Sequence, residues 1–388
     1  MRTLVVTEKP NVAERIANSL GKAARKSHGG VDYFEVGDVV VAPAVGHIFG
    51  LRERNAKGWV YPVFDVEWAP AYLVSKESEF TKRYLDNIKF LAKGCERFIN
   101  ACDYDVEGEV IGYNVIKHGC GQDPKGKTVG RVKYSTLTSE SILKAFEKVG
   151  PIDAGLAFAG LTRHTLDWYW GINLSRALSN AARAGRNYVT LSIGRVQGPT
   201  LKILATREHS IKAFKPEDYW EVEMLCFKDM DFSAMHQAEK FKSGEEADAV
   251  KARCGPKADV VGVDSRRFKQ PAPYPFDLTT LQTEAYKHLS IDPRRTLEVA
   301  QELYTNALIS YPRTSSQEIP EDIDCRRIIS DLMRQEDYRS LCERLLEDKK
   351  LKPANGEKKD PAHPAIHPTG ELPAHLSGER KSVYDLIV

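Results

Sequence analysis

Three carboxylates, Asp103, Asp105 and Glu107, follow a short apolar run in "FINACDYDVEG", residues 98–108, and a glycine closes the stretch. At alternate positions on an extended strand end their side chains point the same way and repel, so a cation is needed to hold the cluster together. Oxygen donors alone, with no neighbouring His or Cys, favour a hard ion. A few carboxylates that leave room for water and phosphate oxygens suit Mg²⁺. A calcium-binding EF-hand loop fails at its twelfth position, where Asn114 replaces the bidentate Glu, and at its flank, which is strand-like. The plain alternative is an exposed acidic turn. Glu8 ends a second apolar run, "TLVVTEKP", just before Pro10 opens a helix. Neighbouring parallel strands would bring it to the same edge as Asp103. A Glu desolvated beside other acids has a raised pKa and suits protonation of a leaving oxygen. Lys9 can neutralise a phosphate there.

A candidate nucleophile lies far along the chain. Leu297, Ala300, Tyr304, Ala307 and Leu308 have helical spacing, and Pro312 biases Tyr311 away from the helix, so the helix is expected to end near this tyrosine. A phenol, with a pKa of about 10, attacks at neutral pH only where cationic groups favour the phenolate. Arg313 is permanently charged and can hold a phosphate in its fork. On its own, one tyrosine among sixteen is more simply a core or surface residue. Gly121–Thr128, "GQDPKGKT", matches the P-loop pattern letter for letter, but it follows a helical segment and leads into a strand, the reverse of the context that binds ATP.

The elements that must position these residues alternate over the first 150 or so residues. Residues 3–7, 33–45 and 97–102 read as strands, and 10–24 and 77–93 as helices, which implies a largely parallel sheet with its ligand site at the carboxyl ends of the strands. From residue 151 the sequence turns helical, with no strand signal before Tyr188. Residues 217–268 alternate in a β-like way, "KQPAPYPF" reads as a linker, helices return from Thr279, and a lysine-rich loop covers about 348–360. The expected domains are therefore 1–150 (α/β sheet), 151–215 (helical), 216–274 (β-rich) and 275–388 (helical, carrying Tyr311).

Composition excludes some classes. The 42% hydrophobic and 28% charged content is that of a globular chain, and no apolar run approaches the roughly 20 residues needed to span a bilayer. The start of the chain does not read as a signal peptide, so a cytoplasmic, nucleoid-associated protein is expected. Seven cysteines without a C-x-x-C pair argue against both a disulfide framework and a four-ligand zinc site. The net charge of +2 conceals an asymmetry: nine Lys/Arg against two acids over 163–215, then four against ten over 217–251. Such a basic segment is either a solvated helical face or a phosphate-binding one.

"VVTEKPNVAERIANSL" with "ACDYDVEGE" resembles the Toprim metal-binding fold, and "VAPAVGHIFGL" and "GRVKYSTLT" fit its topoisomerase branch. "LISYPRTSSQ" resembles the active-site motif of type IA DNA topoisomerases, "LSIGRVQGPTL" their single-strand-binding segment, and "AHPAIHPT" their active-site histidine motif. The match runs in family order over nearly the whole chain. Its Lys-Pro and Tyr-Pro-Arg forms point to the topoisomerase III and archaeal topoisomerase I branch.

The resemblance implies a Toprim domain, a helical domain, a partial β arch and a helical tyrosine domain. It implies Mg²⁺-dependent, ATP-independent cleavage and religation of single-stranded DNA through a 5′-phosphotyrosyl bond, relaxing negative supercoils or decatenating. Tyr311 would be the nucleophile, Arg313 its electrostatic partner, Glu8 the acid for the departing 3′-hydroxyl, Lys9 and His363 phosphate contacts, and Asp103, Asp105, Glu107 and Glu8 the Mg²⁺ group. Arg163 and Asp167, four apart on a helix, would pair and aim a guanidinium at DNA; Arg195 and Gln197 would line the strand path, with Arg131 near it. His363 and His367 are also four apart, but Pro364 and Pro368 forbid a regular helix, so they do not make a two-histidine metal site.

The implied substrate is single-stranded or negatively supercoiled DNA, acted on by a monomer, with a helicase or single-strand-binding protein as candidate partner. Family members continue beyond this length, and "KSVYDLIV" ends without a cap signal, so a truncated chain is expected. The competing reading is a non-catalytic single-stranded-DNA-binding fragment. A Toprim nuclease or primase is weaker, since it gives no role to "SYPRT" or "GRVQ".

Overall fold

Thr3–Thr7 form strand β1 with every side chain buried, as a continuous apolar run must be when a sheet is covered on both faces. Pro10 then opens helix α1 (Pro10–Leu20), its missing N–H costing nothing at a helix start. A hairpin and its neighbour follow as β2 (Ala24–His28), β3 (Val31–Val36) and β4 (Val39–Pro43). The expected single strand over 33–45 is thus two strands, broken at Gly37, whose φ of 57° makes the turn. Next come β5 (Phe49–Glu53), β6 (Val66–Pro70), the short α2 (Ala71–Val74) and α3 (Thr81–Ala92). The carboxylate segment lies between β7 (Arg97–Asn100) and α4 (Val106–Asn114), and β8 (Val129–Arg131) and α5 (Ser139–Glu147) complete this region.

This computed structural model describes residues 1–55, 58–183, 189–348 and 351–388. Tyr188, and Lys349 and Lys350 of the lysine-rich loop, lie outside them.

The main sheet has the order β2-β3-β4-β1-β7-β8. β4, β1, β7 and β8 run parallel, with Val5 level with Val41 on one side and Ile99 on the other. The chain leaves β1 for one side and later returns to the other, so the crevice of the switch point opens beside Glu8 and the end of β7. Alternate residues serve opposite faces. Val5, Val41 and Ile99 pack with Val12 and Ile16 of α1, while Leu4, Val6 and Val40 pack with Leu85 and Ile88 of α3. The P-loop-like Gly121–Thr128 runs into β8 and opens no helix.

Two further groups of helices belong to the same unit, which comprises 1–193 and 271–388. One is the long α6 (Ala154–Arg183). The other contains α9 (Leu278–Leu289), α10 (Pro293–Thr305), α11 (Cys325–Leu332), α12 (Arg339–Leu346) and α13 (Gly378–Ile387). α10 stops at Thr305, and Ala307 adopts a φ of 58°. Tyr311 therefore lies in an extended segment beyond the helix, not at its last turn.

The second unit, 194–270, holds α7 (Gln197–Ala213), an antiparallel pair β9 (Glu223–Lys228) and β10 (Met230–Met235), and α8 (Gly244–Ala252). The β-like alternation is realised only in that hairpin. Residues 258–268 form no strand, since they meet no pairing partner among the described residues, and Val261, Val263 and Phe268 stand exposed. Among the described residues no helix is long and apolar enough to cross a membrane.

Candidate active site

β7 ends at Asn100, so the three carboxylates do not alternate on a strand. Asp105 is the N-cap of α4, its Oδ1 accepting the Gly108 N–H at 2.7 Å, and Glu107 sits in the first helical turn. The reversal is tight. A Cβ on Gly108 would stand 2.1 Å from the Asp103 carbonyl oxygen, so only glycine admits this approach.

The result separates the acids. Asp103 and Asp105 interact electrostatically with Glu8, whereas Glu107 turns to two histidines. Its Oε2 accepts from His164 Nε2 at 2.8 Å and His47 Nε2 at 2.9 Å. Those two hydrogen bonds hold Glu107 well below the usual carboxylate range. The expected four-carboxylate group is therefore not assembled as one cluster: Glu8, Asp103 and Asp105 couple electrostatically, and Glu107 belongs with two histidines.

Asp103 is pushed up to about 7, first by burial and then by the charges of Glu8 and Asp105, against the pull of Lys9. Glu8 is raised by burial, countered chiefly by Lys9, whose Nζ lies 3.7 Å from its Oε1. Three acids thus share a crevice with too little positive charge. A divalent cation bound to oxygen donors would relieve that imbalance, and the donor chemistry of Glu8, Asp103 and Asp105 suits one, although their oxygens do not all lie within 4.8 Å of one another here.

Tyr311 closes over this pocket. Its hydroxyl donates to Asp105 Oδ2, while Tyr304 donates to Asp103 Oδ1 at 3.1 Å. The two phenol rings meet edge to face at 5.2 Å, and the Tyr311 ring lies 4.5 Å from that of His363. His363 is fixed through both nitrogens, Nδ1 to Ser135 Oγ at 3.0 Å and Nε2 to the Tyr104 carbonyl at 2.8 Å. Burial keeps it below its ordinary pKa.

Tyr311 is only 2% exposed. Burial, with Asp105 and Asp103 facing it, pushes its phenol far above the usual value, and Arg313 opposes this only in part. In this arrangement the phenol is held protonated.

Arg131, expected near the strand path, is wholly buried. Its Nε donates to Glu109 Oε2 at 2.7 Å, and its fork reaches the carbonyls of Cys102 at 2.6 Å and Asp103 at 2.8 Å. It braces the carboxylate loop from within and cannot meet DNA. Arg163 stays half-exposed, with Nη1 3.6 Å from Glu107 Oε1 and Nε 4.0 Å from Asp167 Oδ2. Arg195 and Gln197 are exposed where α7 begins, in the second unit.

Sequence reasoning missed Tyr304, Ser135, His47 and His164 as participants. Tyr304 carries helical core spacing, and only its burial opposite Asp103 reveals its hydroxyl's use. His47 did have a local signal, the glycine before it.

A parallel sheet with an acid-lined crevice at its switch point is the architecture of a Toprim-type metal-binding domain. Residues 3–137 match the Toprim domain model, and 151–388 match the model described as DNA topoisomerase. The chain belongs to the type IA DNA topoisomerase family. DNA topoisomerase 1 of Methanocaldococcus jannaschii is 47% identical, over 100% of this chain and 51% of that protein. DNA topoisomerase 1 of Pyrococcus horikoshii is 44% identical, over 99% and 57% respectively. Full-length topoisomerase I from Thermotoga maritima superposes with a TM-score of 0.65 at 26% identity, covering 99% of this chain and 59% of that one. The chain spans about half the length of the curated relatives it matches.

Proposed function

We propose that this chain carries the site of Mg²⁺-dependent, ATP-independent cleavage and religation of single-stranded DNA. One observation carries the reading: the buried Tyr311 hydroxyl meets Asp105 at the rim of the crevice formed by Glu8 and Asp103. With DNA bound, Tyr311 Oη attacks a backbone phosphorus, forming a P–O bond to the 5′ side and breaking the bond to the 3′-oxygen. Asp105 takes the phenol proton along the hydrogen bond that already joins them. Glu8, whose carboxyl pKa burial raises above its usual range, gives its proton to the leaving 3′-oxygen, and the reverse transfers reseal the strand.

Arg313 and Lys9 supply positive charge for the phosphate, and His363 orients against it. Mg²⁺ held by Asp103 and Asp105, beside Glu8, would neutralise their charge and draw the phosphate in. Arg163 and Asp167, with Arg195 and Gln197 on the second unit, are proposed DNA contacts. Strand passage then relaxes negative supercoils or decatenates, in the cytoplasm on nucleoid DNA, by a monomer that a helicase or single-strand-binding protein can serve.

Single-stranded DNA with Mg²⁺ should give protein covalently attached to a 5′ end on denaturing gels, and Tyr311→Phe should abolish the adduct while sparing DNA binding. An adduct that survives Tyr311→Phe removes the assigned nucleophile. Salt-sensitive binding without an adduct in the unmodified chain would instead establish the non-catalytic binding fragment.

A further inference from the structure

We propose that His47, Glu107 and His164 form a binding site for a borderline transition-metal cation of the Zn²⁺ type, separate from the oxygen-only crevice of Glu8, Asp103 and Asp105. The donor atoms of these three residues all lie within 4.8 Å of one another, and among the described residues no other group of three such side chains does so. They come from three elements: the loop after β4, the first turn of α4, and the middle of α6. The histidine rings are 4.9 Å apart and inclined at 59°, so they do not stack, and both Nε2 atoms converge on one carboxylate oxygen.

A tetrahedral ion with bonds of about 2.0–2.2 Å requires donors roughly 3.3 Å apart. The two nitrogen-to-oxygen separations, 2.8 and 2.9 Å, need open by only a few tenths of an ångström, and the two ring nitrogens lie within 4.8 Å of each other. Two imidazoles and a carboxylate suit Zn²⁺ or Co²⁺ and are poor ligands for Mg²⁺, which prefers oxygen. Each ring would turn its Nε2 to the ion as a ligand, and the cation would take the place of the two ring contacts that Glu107 Oε2 now makes.

The scaffold holds the donors in place. Val45 and Gly46 both take positive φ, 60° and 87°, to aim His47, a conformation a β-branched residue adopts only under constraint. That constraint is a backbone hydrogen bond on either side of Val45, from Ala44 N to Thr7 O and from Gly46 N to Glu8 O. Trp68 packs edge-on against His164. Each of the three side chains is about one-third exposed, which leaves a fourth position open to solvent. Arg163, 3.6 Å from the other oxygen of Glu107, opposes the cation and weakens the site.

The test is a Co²⁺ titration of the full chain in excess Mg²⁺, followed by visible d–d absorption and repeated with His47→Gln and His164→Gln. The intact chain should bind one equivalent more than either variant, through a spectrum lacking the thiolate charge-transfer band that the seven free cysteines would give. Affinity at that equivalent should fall at least tenfold in each variant. Identical isotherms and spectra in all three proteins would overturn the site. Should a histidine variant fail to fold by circular dichroism, Arg163→Ala decides: tighter Co²⁺ binding supports the site, and unchanged or weaker binding refutes it.

Discussion

The Arg131 guanidinium and the Glu109 carboxylate are both fully buried, so each depends on the other for its charge to be tolerated. Arg131→Met strands the Glu109 charge and frees the carbonyls of Cys102 and Asp103, and should cost about 3–5 kcal/mol. Adding Glu109→Leu removes the stranded charge and should recover at least half of that loss. Urea denaturation of the two variants checks this, and an unshifted midpoint for Arg131→Met would dismiss the bracing role. The salt slope of DNA binding by the folded double variant should match that of the unmodified chain, since no phosphate contact is lost. The same pair shows where sequence alone falls short. An arginine in a strand motif looks the same whether it faces solvent or props a loop. Asp103, Asp105, Glu8, Tyr311 and Arg313 could be named because their residue types imply chemistry, and His363 only because the motif around it resembles the family's. Tyr304 and Ser135 could not, because only contact across nearly the whole chain gives their hydroxyls a task.

At the scale of elements, helix ends decide what the site looks like. The alternation of Asp103, Asp105 and Glu107 suggests a strand end, yet Asp105 caps α4 and Glu107, in its first turn, pairs with His47 and His164. The parallel core and its helices were legible from periodicity. Cap geometry was not, because one Asp can end a strand or begin a helix. A second cap offers a pH test away from the crevice. Asp277 caps α9 in a reciprocal capping box with Thr280 and accepts from Lys358 Nζ at 3.0 Å. Burial alone would raise its pKa, but the Thr280 N–H and Lys358 outweigh that and lower it from the usual 3.8. A depressed folded pKa adds stability that is complete above the unfolded value and is lost as pH falls through the folded one. Asp277→Ser keeps a capping oxygen without the charge. The intact chain should therefore exceed the variant in thermal stability at pH 6, and the gap should shrink toward pH 3. A gap that stays constant with pH would mean that the carboxylate charge contributes nothing.

At the scale of the first unit, the crevice is shared by segments that are remote in sequence, 1–150 and 275–388. Several contacts fasten them over it. Tyr311 N–H donates to Ser135 O at 2.8 Å, Arg15 Nη2 to Asn306 O at 3.1 Å, and Arg327 Nη1 to Glu140 Oε2 at 2.7 Å. Such pairings leave no trace in local sequence patterns, because neither partner's neighbours carry the other's signal. Their consequence is functional. With Tyr311 almost wholly buried, DNA would reach the phenol in the proposed reaction only when these contacts part, so the closed population would tax the rate of attack by its excess over the open one. The Arg327 and Glu140 side chains are exposed at 57% and 45%, which limits the pair to about 1 kcal/mol at most in water. Removing it by Arg327→Ala with Glu140→Ala should leave the melting temperature nearly unchanged, yet raise the initial rate of covalent adduct formation by up to about fivefold. The same effect should fade as salt is added to the unmodified chain, because screening already weakens an exposed pair. If gel-based adduct assays show equal rates for both proteins at low salt, attack does not wait for these segments to separate.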